Sequence, residues 1–252
     1  MIRIPDIICE VGLNHMGDPK YADTYVSELI VLRPDGITFQ FREKEYYETR
    51  KGLELSDSYY QKIVKKVQKA GIKMGFSVSD PEKIKFLEKI GSDFYKLLSK
   101  DINNPMIVSK LLKTGKPIYV STGLSGTHEI ATFLKKAKAS HSPVTLNQTQ
   151  LTFEIGDANV KAIESMKKKF SVPVSFGLHS ENKNVIYLAL SFEPQAVLFY
   201  VKGNRKIIHK DEKNSIKLSD CPELFANIRE LPLALGSGKK VTMENKLYGH
   251  KK

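Results

Sequence analysis

The chain has no tryptophan, and its only cysteines are Cys9 and Cys221. Neither lies in a CxxC pair, which excludes a disulfide-built scaffold, a zinc ribbon and a thioredoxin-like redox pair. No apolar run approaches the roughly 18 residues that a membrane-spanning helix needs. Neither GxGxxG nor GxxxxGK[ST] occurs, so a dinucleotide or P-loop nucleotide site has no support. HxxxH and HxH spacings are missing too, and no Ser/His/Asp arrangement stands out. Acids are scarce beside bases: 28 Asp and Glu against 40 Lys and Arg give a net charge of +12. The excess is spread over helical faces, as at Lys62, Lys65, Lys66 and Lys69. A nucleic-acid binder would gather Arg and aromatics on one stripe, so no nucleic-acid partner is expected. A small anionic substrate is compatible with the charge.

The N-terminus, MIRIPDIICEVG, does not read as a signal peptide. Its apolar stretch is broken by Pro5 and Asp6 and ends at Glu10 without a small-residue cleavage site. The expected location is the cytoplasm, with no membrane contact. The chain has 252 residues, 41% of them hydrophobic, which allows one α/β barrel or two small domains.

Short apolar, β-branched runs recur at 6–12, 36–41, 73–78, 93–98, 117–121, 143–148, 173–178 and 196–201. Near-continuous apolar character, without strict alternation, suits parallel strands buried on both faces. Helical stripes fill the gaps. Tyr60, Ile63, Val64 and Val67 form one, and Cys221, Leu224, Phe225 and Ile228 repeat its spacing. Ser56 reads as a helix cap, as does Ser79 or Asp80 before Pro81, and Ser219 or Asp220 before Pro222. Gly71 and Gly115 read as helix stops. Eight strand–helix units predict a single-domain TIM (β/α)8 barrel over residues 1–240, with 241–252 as a basic tail. A doubly wound open sheet is the alternative. The connection from Arg42 to Leu55 is long for such a unit and is expected to be a lid or a dimer contact.

In such a barrel the chemistry sits at the carboxyl ends of the strands. Those ends carry Glu10, Asn14 and His15; Gln40 and Arg42; Ser77 and Ser79; Lys96, Ser99 and Asp101; Ser121, Thr122 and Gly123. Asn147, Gln148 and Gln150 follow, then His179, Ser180 and Glu181, and last Tyr200 and Lys202. Hydroxyls, amides and cations in a ring suit a phosphate or carboxylate. Lys96, between Tyr95 and Leu97, needs an anion nearby, because burying an unpaired ammonium is costly.

The segments ICEVGLNHMGD, GITFQF, YKLLS, KPIYVSTGLS and SVPVSFGLHS resemble the sialic acid (N-acetylneuraminate) synthase family, in the same order and at similar intervals. The resemblance runs from about Ile7 to about Lys240. It implies a TIM barrel that condenses phosphoenolpyruvate with an N-acylated hexosamine to give a nonulosonic acid. It implies that Lys96, Ser99 and Ser121 hold phosphoenolpyruvate and that Glu10 stands near the reacting carbons. It places Ser77 at a small-hydroxyl position and Asp101 at an acid that meets the sugar. Gln40 and Gln150 fall at further substrate-binding positions.

The sequence departs from the family at several of them. The family's KFQ reads Thr38-Phe39-Gln40, and its HCxxxYP segment reads Asn147 to Phe153. The family binds a divalent cation, Mn²⁺ or Mg²⁺, through two histidines. The first motif, GLSDH, reads Gly177-Leu178-His179-Ser180-Glu181, and the second histidine falls near Lys202. Both metal histidines are thus absent. His179 and His209 are substitute ligands to consider. Lys202 and Glu181 form the other arrangement, an internal cation in place of the metal, which makes Lys202 a catalytic expectation beside Glu10 and Lys96. His179 and Glu181 count among the expected substrate contacts. The antifreeze-like C-terminal domain of many members is not recognisable; in those members it closes the sugar site of a dimer partner, so a homodimer is one expected arrangement.

Three functions are therefore open: the synthase, a non-catalytic relative that keeps an anion pocket, and a Schiff-base aldolase working through Lys96 or Lys202.

Overall fold

The computed structural model describes residues 2–240. The expected tail, 241–252, lies outside the described residues.

Eight parallel strands close on themselves. They are β1 (Asp6–Gly12), β2 (Gly36–Phe41), β3 (Lys73–Val78), β4 (Phe94–Leu97), β5 (Ile118–Ser121), β6 (Val144–Gln148), β7 (Val174–Leu178) and β8 (Ala196–Lys202). Each pairs with the next, and β1 also pairs with β8, from Asp6 opposite Ala196 to Glu10 opposite Tyr200. This is the TIM barrel that the strand pattern predicts. A short ninth strand, β9 (Ser215–Lys217), extends β8 in parallel and was not legible in the sequence.

The helices follow in order: α1 (Pro19–Leu32), α2 (Lys44–Thr49), α3 (Asp57–Lys69), α4 (Lys83–Ile90), α5 (Pro105–Leu112), α6 (Thr127–Ala139), α7 (Ala162–Phe170), α8 (Asn184–Leu190) and α9 (Cys221–Glu230). Ser56 caps α3, its hydroxyl accepting from Tyr59 N at 3.2 Å. Tyr60, Ile63, Val64 and Val67 of that helix are all buried against the barrel, each worth about 1.5–3 kcal/mol relative to an exposed side chain. α4 starts at Lys83, later than the Pro81 start expected, because Asp80 Oδ1 binds Glu82 N and forms a turn first. The long connection after β2 holds α2, a helix where the sequence predicts a loop.

The barrel interior has two levels. Its floor is a small apolar layer of Ile8, Phe94, Ala196 and Leu198, with Tyr119 packed on it. Phe94 fits there because Gly75 has no side chain: a Cβ would lie 2.4 Å from the ring. Above the floor the interior turns polar. Side chains alternate along a strand, so Glu10 follows Ile8 inward and Lys96 follows Phe94. The larger apolar core lies outside, between strands and helices. A dry floor under a wet upper layer places ligand chemistry at the carboxyl ends of the strands.

Candidate active site at the barrel mouth

A cavity of about 400 Å³ opens at that end. Of the strand-end residues expected to form a site, Gln40, Arg42, Lys96, Ser99, Ser121, His179 and Tyr200 line it together. Lys96 is 2% exposed and reaches Glu10, with Nζ at 2.7 Å from Oε1 and 2.5 Å from Oε2. The anion that a buried lysine demands thus comes from the protein. Tyr200 lies beside the pair, its ring centroid 5.4 Å from the ammonium. One of three ammonium hydrogens remains for a ligand.

The two serines are arranged alike. Ser99 Oγ accepts from Gly123 N at 3.1 Å, and Ser121 Oγ accepts weakly from Asn147 Nδ2 at 3.5 Å. Each hydroxyl thereby keeps its own hydrogen for an oxyanion in the cavity. His179 Nδ1 donates to Gln150 O at 2.7 Å, which leaves Nε2 of the neutral ring as an acceptor. Burial, and after it the charge of Lys96, hold this imidazole below its ordinary pKa.

The remaining expectations fall outside the cavity wall. Glu10 sits behind Lys96. Ser77 is buried beside it on β3, and its hydroxyl has no partner. Asp101 Oδ2 accepts from Ser79 Oγ at 2.7 Å. Gln150 contributes its carbonyl to His179, and its side chain lines a separate crevice. His15 is a structural residue: Gly17 N donates to Nδ1 at 3.0 Å, and burial pulls its pKa down to about 4.

Lys202 requires a correction. Its side chain is 5% exposed, but it lines a different pocket. Nζ donates to Glu181 Oε1 at 2.5 Å, Glu212 Oε1 at 2.6 Å and Glu212 O at 2.9 Å. All three hydrogens are spent, so this ammonium does not reach a substrate in the mouth cavity. Burial pulls its pKa down, but the hydrogen bonds and charges of Glu181 and Glu212 outweigh that and raise it. Lys202 is therefore no free amine for a Schiff base. Glu181 is exposed and serves this ion pair.

These residues do not fit a divalent cation either. Glu181 and Glu212 already hold an ammonium. His209 has both ring nitrogens engaged, Nδ1 with Glu212 Oε2 at 2.9 Å and Nε2 with the Tyr21 hydroxyl at 2.7 Å. Among the described residues no group of three or more His, Cys, Asp or Glu stands together as a cage.

Lys100, Lys210 and Asp211 of the wall escaped the sequence reading, whereas Tyr46 lies in the connection expected to be a lid or a dimer contact. Tyr46 of α2 lines the cavity with Lys100 and Lys210, and the Arg42 guanidinium lies 4.1 Å from the Tyr46 ring centroid. Glu43 binds both Arg42, at 3.1 Å, and Lys100, at 2.8 Å. Burial opposes its ionisation, yet those two partners pull its carboxyl down to about 2. Asp211, also in the wall, carries an unpaired Oδ2. The signal for Tyr46 was the length of the connection after β2, in which α2 went unrecognised; Lys100 and Lys210, on the loops after β4 and β8, left none.

A closed parallel barrel with hydroxyls and cations set among the apolar side chains of its mouth defines a (β/α)8 barrel with room for a small anion. The chain belongs to the NeuB family, the family of sialic acid synthases, whose sequence profile matches residues 24–240. It is 27% identical over 248 residues to an uncharacterized protein of Methanocaldococcus jannaschii, covering 94% of this chain and 74% of that one. It is 24% identical over 261 residues to the N,N'-diacetyllegionaminic acid synthase of Campylobacter jejuni, covering 93% and 78%. The solved sialic acid synthetase of Leptospira borgpetersenii, in complex with citrate, shares the fold at a TM-score of 0.88 and 24% identity, covering 96% and 89%. No helix among the described residues is long and apolar enough to cross a membrane.

Proposed function

We propose that this chain condenses phosphoenolpyruvate with the aldehyde of an N-acylated amino sugar, giving a nonulosonic acid and phosphate. The observation that supports it best is the set of unspent donors on one cavity wall: the Ser99 and Ser121 hydroxyls and the third hydrogen of Lys96. Gln40 adds an amide, and Arg42, Lys100 and Lys210 ring the mouth. These groups bind the phosphate and carboxylate of phosphoenolpyruvate.

The enol methylene then attacks the sugar aldehyde. Water adds to the resulting cationic carbon, and phosphate leaves. Glu10 holds Lys96 in place and puts negative charge close to the cation-like carbon. Since the donors near Lys202 do not fit a metal, no step is assigned to one.

The test is phosphate release with phosphoenolpyruvate and a panel of N-acylated hexosamines, with and without Mn²⁺ or Mg²⁺, and mass detection of the keto acid. Turnover is expected without added metal. Release with no sugar in the panel sinks the reading. A second reading has one observation in its favour, the ion-paired Lys202 where the family is expected to carry a metal histidine. On that reading the barrel binds phosphoenolpyruvate as a non-catalytic relative, and calorimetry shows binding where the assay shows no release.

A further inference from the structure

Asp211 stands in the mouth wall with Lys96, Ser121, His179 and Tyr200, although it comes from the loop after β8 and not from a strand end. Its backbone is anchored on both sides. The Asp211 N–H donates to Asn14 Oδ1 at 2.8 Å, and its carbonyl accepts from Ser215 Oγ at 2.6 Å. Asn14 is fixed in turn, donating to Val201 O at 2.8 Å and Ser215 Oγ at 3.0 Å. The carboxyl crosses the end of β1 at Gly12, whose φ is +56°. A Cβ there would lie 3.2 Å from Asp211 Oδ2 and 2.6 Å from Tyr200 Cε1. Gly12 and Asn14 of the first-strand segment thus serve to place Asp211. Its Oδ2 is shut off from solvent and has no hydrogen-bond partner. A buried carboxyl oxygen left so is costly while the group is charged, which favours the protonated carboxyl.

We propose that Asp211 is a catalytic acid, giving its proton to the aldehyde oxygen of the acceptor as the carbon–carbon bond forms. This rests on the condensation reading above. The bond joins the enol methylene to the aldehyde carbon, and the aldehyde oxygen leaves as a hydroxyl with the Asp211 proton. Water adds to the cationic carbon and returns one proton to the Asp211 carboxylate. The remaining hydroxyl proton passes to the departing phosphate as the carbon–oxygen bond to it breaks and the ketone forms. Protons and charge balance without an added reactant.

The surroundings suit an acid of this kind. Burial first, then the charge of Glu10 on β1, push the carboxyl up to about 6, against the pull of Lys210, of Lys96 on β4 and of Arg42 after β2. Tyr200 of β8 borders it, and Tyr46 of α2 lines the same cavity. A group that titrates close to the working pH is an efficient proton donor. The spent hydrogens of Lys202 leave the aldehyde in need of another electrophile, and Asp211 supplies one.

The near-isosteric Asp211→Asn keeps the backbone anchors and tests this. Its kcat is expected to fall roughly 10²- to 10⁴-fold, while phosphoenolpyruvate affinity stays within about threefold. Wild-type kcat/KM should decline above about pH 6 with loss of one proton, and that step should be absent in the variant. A carbon-13 titration, read as the difference between wild type and Asp211→Asn, should show a carboxyl step near pH 6 in the free protein. Wild-type kcat and pH profile in Asp211→Asn, or an ordinary aspartate titration, overturn the assignment. Wild-type turnover with an indifferent Asp211 sinks this inference alone. No turnover by the wild type sinks the condensation reading and this inference with it.

Discussion

A lysine between Tyr95 and Leu97 in an apolar strand demands an anion, and that demand was readable from the residues alone. Glu10 answers it from β1, across the barrel. Gln40, Ser99 and Ser121 were legible for the same reason as Lys96: strand ends converge in a closed barrel. Asp211 was not legible. It reaches the cavity only because Gly12 lacks a Cβ and Asn14 grips the loop, and neither relation leaves a mark in local spacing. Its burial has a consequence for stability. An unfolded aspartate ionises near 4, whereas Asp211 in the fold holds its proton up to about 6. Between those values the folded chain binds the extra proton, so stability falls as pH rises from about 4 to about 6 and stays lower above. The loss is about 2 kcal/mol. His15 acts in the opposite sense: its folded pKa of about 4 adds stability that is full above about pH 6.5 and is lost as pH falls. Urea unfolding of wild type and Asp211→Asn from pH 4 to 8 separates the two. The variant should gain about 2 kcal/mol on wild type across that range, and a constant difference contradicts the burial of this carboxyl.

Among elements, the βα loops carried what the strand pattern could not. The stretch after β2 was long enough to signal a lid, but α2 has no buried residue and hence no apolar stripe to betray it. β9 is too short to show a period. The loops after β7 and β8 are tied by Lys202, which joins Glu181 of one to Glu212 of the other. The pairing with Glu181 was foreseen; the capture of Lys202 by Glu212 was not, and it turns an expected catalytic cation into a strut. Both carboxylates are partly exposed, which limits the contribution of the ion pairs to about 1–2 kcal/mol. Lys202→Met should therefore lower the thermal midpoint by roughly 3–6 °C. EDTA or Mn²⁺ should leave the wild-type midpoint where it is. A rise with stoichiometric Mn²⁺ means that the two carboxylates release the ammonium for a metal after all.

At the scale of the whole molecule, the barrel was legible because burial on both faces forces near-continuous apolar strands, and these recur eight times between helical stripes. The net charge of +12 was equally plain, yet composition does not say where a charge acts. The fold sets Arg42, Lys96, Lys100 and Lys210 around the cavity, opposed by Glu10, Glu43 and Asp211. With Asp211 protonated, four cations face two anions, and the low-dielectric wall focuses the surplus on the mouth. Rim charges such as Lys210 stand in solvent and are screened over about 10 Å at 0.1 M salt. The KM for phosphoenolpyruvate should then rise several-fold as ionic strength goes from about 0.02 to about 0.3 M, while kcat and the KM of an uncharged sugar hold steady. Steady-state kinetics across that series reads the difference directly. A salt-independent KM for phosphoenolpyruvate means that Glu10 and Glu43 cancel the mouth's charge, and that its hydroxyls alone hold the anion.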